Sequence, residues 1–493
     1  MMLRVFIQTY QKNTASLSSS IRYVSTGIRN SSNQDVSEPK DVVYPDVRLP
    51  PRVLQLGVPD ESPFVRVKKV MKLDYDRFCA NLQGKPPPRF PAQSDILVIG
   101  GGIVGSSIAY HLSDKTGPGL NVTVIERNLP KKKSVGGIVD LYQQVLSQPN
   151  FEMTQYAAEF YRSLGLPQDD PDLPSLPDIN FNVNSSLLIS SNNDAGAIQD
   201  LSDMYRNLKW NHQISTPAIL QQRFPWLNCD GINVGCLGLH KEGFFDEVSA
   251  LSTIRAKAEK NGTTFLQGNV IGFDFVDISC FATNSMIRTL TPRKAVVQTP
   301  NEDVLRCTFG YIIIAAGVKI NEVVNLLNID EHIEELPILP QKLTSFEVEC
   351  TSGPGLEMPL IMDSSGLRVR RNGLLGTYTV WNEKDLIDYE SYEEPKVDDN
   401  YFTEKLYPQL IHRIPSFKDC KVLSSKARIV DTNLWDNHLL VGPTPRYNNV
   451  LIAGGFCNND YLFAPAVGRG IAELCLENGF DEIDLSCFRL ERI

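Results

Sequence analysis

Four short stretches of the chain are apolar at almost every position over a strand's length: residues 96–99, 122–125, 311–315 and 450–453. Runs of that kind predict strands buried on both faces, as in a parallel sheet covered by helices. Helical periods stand between and after them. Ile103, Val104, Ile108, Ala109 and Leu112 follow the first run directly, and Met153, Tyr156, Ala157, Phe160 and Tyr161 line one side of a helix over 150–164. Further helices are predicted near 74–82, over 194–208 and over 248–260, and a last one is expected to open at Ala464 and Pro465, with the proline in its first turn. From Ile179 the period shortens toward two. Residues 180–184 alternate, 187–189 follow, and 265–275 read as strands broken near Gly272. From Pro337 alternating strands return at 343–348, 360–362, 367–370 and 375–380. The pattern predicts an α/β chain in which a nucleotide-type sheet is interrupted by a more antiparallel insertion, so that the chain leaves one domain and comes back to it.

The first buried run carries readable chemistry. It ends in Gly100, Gly102 and Gly105, spaced G-x-G-x-x-G, and turns into a helix. The first glycine permits the tight turn, the second lets backbone approach a pyrophosphate, and the third lets helix and strand pack closely. The pyrophosphate belongs at the helix N-terminus, beside Ile103, where unpaired N–H groups and the macrodipole favour an anion. The second run ends in Glu126, about 20 residues past the last glycine, where an acid bonds ribose hydroxyls and disfavours a 2'-phosphate. FAD or NAD is therefore expected over NADP. Glu126 alone leaves NAD open, while the chain length, the late strand at 450 and the inserted domain favour FAD.

Other candidate contacts follow from the same logic. Arg127 and a basic loop lead to Gly136 and Gly137, either as backbone donors that close over a cofactor phosphate or as a solvated loop. Ala316 and Gly317 are small where backbone runs against a dinucleotide. Gly455, Phe456 and Cys457 begin the loop after the last buried strand, and the helix start beyond them offers N–H donors to an anion.

Composition bounds the rest. With 42% hydrophobic and 22% charged residues the chain is globular in kind. The first 34 residues hold Arg4, Lys12, Arg22 and Arg29 and no acid, which is the composition of a mitochondrial transit peptide; a disordered tail is the alternative. Without them 44 basic face 58 acidic residues, a net charge of −14 that disfavours nucleic acid. Residues 35–94 read as a Pro-rich extension and linker, and no apolar run reaches the length of a membrane span. The ten cysteines contain no C-x-x-C, consistent with buried reduced thiols, and the six histidines form no i, i+4 pair, so no metal site is expected. The acidic stretch 382–400 reads as a solvated loop.

Together with Gly-Phe-Phe-Asp246 and Asp363-Ser-Ser-Gly366, these glycine-ended strands resemble the D-amino acid oxidase type of FAD-dependent oxidoreductase over residues 95–490. The resemblance implies a Rossmann-type FAD-binding domain (95–178, 241–335 and 421–493) with an interleaved antiparallel-sheet substrate domain (179–240 and 336–420), and FAD held non-covalently. Arg370 matches the family's arginine after Asp-x-Ser-Gly and is the candidate anion site for a substrate carboxylate; a surface arginine is the alternative, since Arg368, Arg370 and Arg371 cluster on alternating faces. Residues 134–138, 223–228, 353–360, 468–473 and 483–488 carry a closer likeness to a mitochondrial branch of the family that serves assembly of respiratory complex I. That implies complex I subunits or assembly intermediates as partners. The chain departs from the family at the flavin: a Gly-Phe-Ser-Gly-His-Gly loop is replaced by Gly455-Phe-Cys-Asn-Asn-Asp460. Two glycines are lost and a carboxylate is gained, changes that bear on turnover more than on FAD binding. Cys457 raises the question of covalent flavin attachment, and a small buried hydrophobe is the simpler role.

Overall fold

The computed structural model describes residues 90–492 apart from 129–136, 146, 165–177, 192–201, 209, 283–284, 328–334 and 389–394, and adds the short strand Leu54–Gln55. The transit-peptide segment, the 74–82 helix and Gly136 lie outside the described residues, as does much of 194–208.

Five strands run parallel: Gln93–Ile99, Val122–Glu126, Thr264–Gln267, Val304–Ile314 and Val450–Gly454. Numbered along the chain, their order across the sheet is 3-2-1-4-5. That is a dinucleotide-binding order, and the crevice opens where it reverses, at the carboxyl ends of Gln93–Ile99 and Val304–Ile314. The apolar runs are continuous because both faces are covered. Ile96 and Val98 face a core with Ile108, Leu112, Ala464 and Val467 of two helices, while Leu97 and Ile99 face one with Phe273, Phe275 and Val297. The second core is supplied by a long hairpin, Asn269–Ala282 and Ser285–Gln298, whose ladder shifts register between Val270 and Gly272. The break expected near Gly272 is thus a bulge inside a strand.

A second sheet comprises Ser186–Ser191, His212–Ser215, Ile232–Gly238, Ile338–Glu349, Leu360–Asp363, Leu367–Arg371, Thr377–Asn382 and Ile387–Asp388. Alternation explains its two sides. Phe346 and Val348 pack with Tyr401, Phe402, Leu406 and Leu410, whereas Ser345 and Glu347 face a cavity. Lys421–Asn433 also belongs here, antiparallel to Ile338–Glu349 along nearly its whole length. The expected boundary, which gave all of 421–493 to the dinucleotide domain, is corrected accordingly: twelve ladder positions hold this strand to the second sheet.

A small sheet of Ile138–Leu141, Asn182–Val183 and Gly243–Asp246 joins the two. Asp246 caps the helix Glu247–Lys260, its Oδ2 accepting the Ser249 N–H at 2.7 Å. The last helix, Asp460–Glu477, packs on Ile103–Thr116, and a Cβ at Gly468 would come within 2.6 Å of Ser107 Oγ. It begins a turn earlier than expected, with Pro465 inside it. Proline leaves the Tyr461 carbonyl without its helical donor. The buried Tyr161 hydroxyl donates to that carbonyl instead, at 2.9 Å.

Among the described cysteines all are free; Cys236, Cys307 and Cys350 are buried, the others half-buried, and Cys487 is exposed, so the expectation of buried thiols holds for only part of the set. No described helix is long and apolar enough to cross a membrane.

Candidate functional site

The glycine loop is built to leave room in one place and none in two others. Gly100 has φ +103°, and a Cβ there would overlap the Ala315 carbonyl across the switch point; a Cβ at Gly105 would overlap the Gly100 carbonyl. Gly102 has nothing within 4 Å of where its Cβ would be. It caps the helix Ile103–Thr116 without a side-chain hydrogen bond, which leaves the first N–H groups of the helix uncapped by it. Gly317, at φ +54°, is likewise open on its Cβ side, and Ala316 precedes it on the same turn. This arrangement fits a pyrophosphate. Glu126 stands at the loop, its Oε2 accepting the Gly101 N–H at 2.7 Å and its Oε1 the Asn128 N–H at 2.9 Å.

Arg255, which no sequence motif marked, completes this end. It projects from Glu247–Lys260 to donate to the Gly101 carbonyl, with Nε 3.3 Å from Ser106 Oγ and its guanidinium 5.8 Å from the Phe265 ring. Burial lowers its pKa, and the Glu126 carboxylate opposes the shift. The signal was topological: the strand after its helix pairs in parallel with Val122–Glu126.

Arg127 and Gly137 are placed differently from expectation. Arg127 is tied to Asn269 Oδ1 at 3.0 Å and Glu322 Oε2 at 3.2 Å. Gly137 gives its N–H to Glu247 Oε2 at 3.1 Å and accepts the Glu247 N–H at 3.1 Å. Its donor is therefore committed to a carboxylate, which corrects its reading as a phosphate clamp.

At the other end of the crevice, the lost glycines have changed chemistry more than shape. Gly455, Cys457 and Asn458 all have positive φ, at +74°, +52° and +72°. Asparagine tolerates that region better than most residues, so the turn survives without glycine at 458. Phe456 is buried. The Cys457 Sγ lies 3.4 Å from the Gly455 carbonyl, and burial pushes the thiol up to about 11, which leaves little thiolate. Asn458 Oδ1 is buried without a partner on the cavity side, and Asn459 Oδ1 accepts the Tyr142 hydroxyl at 2.8 Å. The orphaned amide oxygen suits a polar ring edge.

Asp431, unmarked in the sequence, organises this loop. Its carboxylate accepts the Gly455 N–H at 2.8 Å and the Phe456 N–H at 3.3 Å, and its carbonyl accepts the Cys457 N–H at 2.9 Å. Burial first, and then Asp460, push its carboxyl up to about 7.

Between this loop and the second sheet lies a cavity of about 490 Å³, bordered by Gly137, Tyr142, Trp381, Asn458 and Asp460 among others. Arg370 lines it and is 4% exposed, so the surface reading is wrong. Its Nη1 meets Asp140 Oδ2 at 2.5 Å and the Ile138 carbonyl at 3.3 Å, with Nε 3.2 Å from Asn372 Oδ1 and Nη2 3.3 Å from Thr379 Oγ1. The guanidinium is thus satisfied within the protein, and Arg370 as a free substrate anion site is corrected to a structural pair. Burial raises the Asp140 pKa, and Arg370 draws it back.

Comparison with known proteins agrees with this geometry. The model of the FAD dependent oxidoreductase (DAO) family matches residues 95–474. The chain is 34% identical over 424 residues to the FAD-dependent oxidoreductase domain-containing protein 1 homolog of Drosophila melanogaster, covering 83% of this chain and 80% of that one. It is 32% identical to FAD-dependent oxidoreductase domain-containing protein 1 of Bos taurus over 433 residues, 82% and 85% of the two chains. Among solved structures, L-proline dehydrogenase from P. horikoshii shares the fold with a TM-score of 0.64 at 19% identity, covering 82% of this chain and 99% of that one. Glycine oxidase from Geobacillus kaustophilus does so with 0.62 at 15%, covering 82% and 99%. The chain belongs to the DAO family of FAD dependent oxidoreductases.

Proposed function

We propose that the chain is a mitochondrial protein that holds FAD non-covalently and supports the assembly or stability of respiratory complex I, with redox turnover weak or absent. One contrast carries this reading: the pyrophosphate cradle at Gly102 is open, while the loop donors of Gly455 and Phe456 are already taken by Asp431. Bound only by the folded state, FAD stabilises the fold by mass action. Residues 1–34, basic and free of acid, support the mitochondrial address. The high thiol pKa of Cys457 supports non-covalent binding.

The test is Gly102→Val in cells. Protein level and complex I assembly are expected to fall together; normal assembly by a flavin-free variant would sink the proposal. Acid precipitation of the purified protein should release its yellow colour into the supernatant.

A second reading, oxidation of a C–N bond in a secondary amine or amino acid, is favoured by the charged cavity beside the loop. FAD when bound would supply the hydride acceptor. The protein's share would be to shelter the amine from water and orient it with the cavity's polar groups. Amine-dependent bleaching of the flavin tests it, and a broad panel without bleaching counts against it.

A further inference from the structure

The second sheet ends on one side at Lys421–Asn433, which pairs with Ile338–Glu349 and with no other strand among the described residues. The two halves of this edge strand differ. Val430, Asp431, Thr432 and Asn433 are buried, and the Asp431 carbonyl is taken by the Cys457 N–H. From Lys421 to Ile429 every residue is exposed or half-buried, and Val422 and Leu423 are 45% and 52% exposed.

Register decides which main-chain groups of the open half point outward. The Cys350 N–H bonds the Gly376 carbonyl on the far side of Ile338–Glu349, so by alternation Glu349, Glu347 and Ser345 turn their main chain toward Lys421, Ser424 and Lys426. Ser425, Ala427 and Ile429 therefore point away from the sheet, as Asp431 does. Asp431 has a partner there; among the described residues nothing pairs with the main chain of the other three on that side. Such a row of unpaired donors and acceptors is a template for one more strand.

The side chains along the row decide what kind of strand it takes. Lys421, Lys426 and Arg428 stand on it with no acid between them, and none of the three forms an ion pair among the described residues. Glu347 and Glu349 keep their charge but lie one strand further in, about 4.8 Å away, so a docked chain meets the cations first. A second copy of this edge would set cations against cations, which opposes self-pairing. Ser424, Lys426 and Arg428 also line the cavity, so a strand added here runs along its rim.

We propose that the edge from Val422 to Ile429 is a docking site for an extended acidic segment of a partner protein, which adds a strand to the second sheet and sets acidic side chains, two residues apart, against Lys426 and Arg428. Main-chain bonds supply the affinity and the paired charges the specificity. Docking here uses no residue of the glycine loop and does not depend on flavin.

The experiment follows the fluorescence anisotropy of a labelled peptide, Thr-Glu-Val-Glu-Val-Glu-Thr, titrated with the purified full-length protein. One control replaces each Glu by Lys. The other is the acidic peptide N-methylated at its Glu and Val residues, which keeps the charge and loses the main-chain donors. The acidic peptide is expected to bind at least tenfold more tightly than either control, and amide exchange over residues 421–429 is expected to slow on binding. Lys426→Glu combined with Arg428→Glu should reverse the preference toward the basic peptide. Ala427→Pro removes an outward N–H where an edge strand tolerates proline, and should lower the affinity at least tenfold in a protein that its melting curve shows to be folded. If that variant unfolds, the N-methylated peptide makes the same test without touching the protein. No binding, equal binding of the acidic peptide and its N-methylated form, or protection of amides elsewhere instead of over 421–429 would overturn the proposal.

Discussion

The carboxylate of Asp431 accepts the backbone N–H of Gly455 at 2.8 Å, placing a buried acid under the loop where the family keeps glycines. Its pKa stands at about 7, raised by burial and by Asp460. An acid raised in the folded state binds its proton more tightly there than when unfolded, so its stabilising effect is complete below about pH 4 and is lost as pH rises to 7. Asp431→Asn removes that titration. Between pH 4.5 and 8 the unfolding free energy of the variant should gain on that of the parent by a few kcal/mol, about the size such a shift implies. Parallel pH profiles in urea denaturation would show that Asp431 does not titrate in this window.

Gly102 and Gly105 should separate binding from folding. A Cβ at Gly105 would meet the Gly100 carbonyl of the adjoining strand end, so Gly105→Ala must push helix and strand apart. Overpacking of that kind costs about 1–3 kcal/mol or more, and here it strikes backbone. Gly102, at φ −65° with open space ahead, accepts a side chain without strain. Gly102→Val is expected to keep the circular dichroism spectrum of the apoprotein while flavin content after gel filtration falls at least tenfold. Gly105→Ala should lower the melting temperature of the apoprotein itself.

Arg370 and Asp140 form a pair with side chains only 5% and 11% exposed. Removing one partner leaves a buried charge unpaired, a loss of about 3–5 kcal/mol. Arg370→Met should therefore destabilise strongly, and Asp140→Asn with Arg370→Met should recover much of the loss. A double variant no more stable than the single one would mean that Arg370 acts through other contacts. Chemical denaturation of the three proteins decides it.

The parts of this fold legible in the sequence were those governed by local chemistry. Glycine spacing, the run at 96–99 and Glu126 specify their neighbours within 30 residues, and helix 148–164 follows from one apolar stripe. What was not legible depends on which strands meet. Arg255 reaches the glycine loop only because Thr264–Gln267 pairs beside Val122–Glu126, and Asp431 reaches Gly455 only because Lys421–Asn433 ends beside the last parallel strand. Arg370 sat in a cluster of three arginines whose alternation suggested solvent. Its partner Asp140 lies 230 residues away on a different sheet, and local periodicity cannot carry that pairing.

Pro465 shows the same dependence in the backbone. A proline five residues past the helix start deprives the Tyr461 carbonyl of its i+4 donor, and that carbonyl is deeply buried in the last helix. Tyr161, fully buried on helix Gln148–Leu164, supplies the missing hydrogen from its phenol at 2.9 Å. Tyr161→Phe keeps the ring and its packing on Phe245, 4.4 Å away between centroids, and deletes only the donor. An unsatisfied buried carbonyl costs about 1–3 kcal/mol, so the variant should unfold at correspondingly lower denaturant. Pro465→Ala restores a backbone N–H at the right place. In that background the same Tyr161→Phe change should cost less, because the carbonyl then has its helical partner. Equal losses in both backgrounds would show that the phenol matters for some other contact, and a double-mutant cycle measures the difference directly.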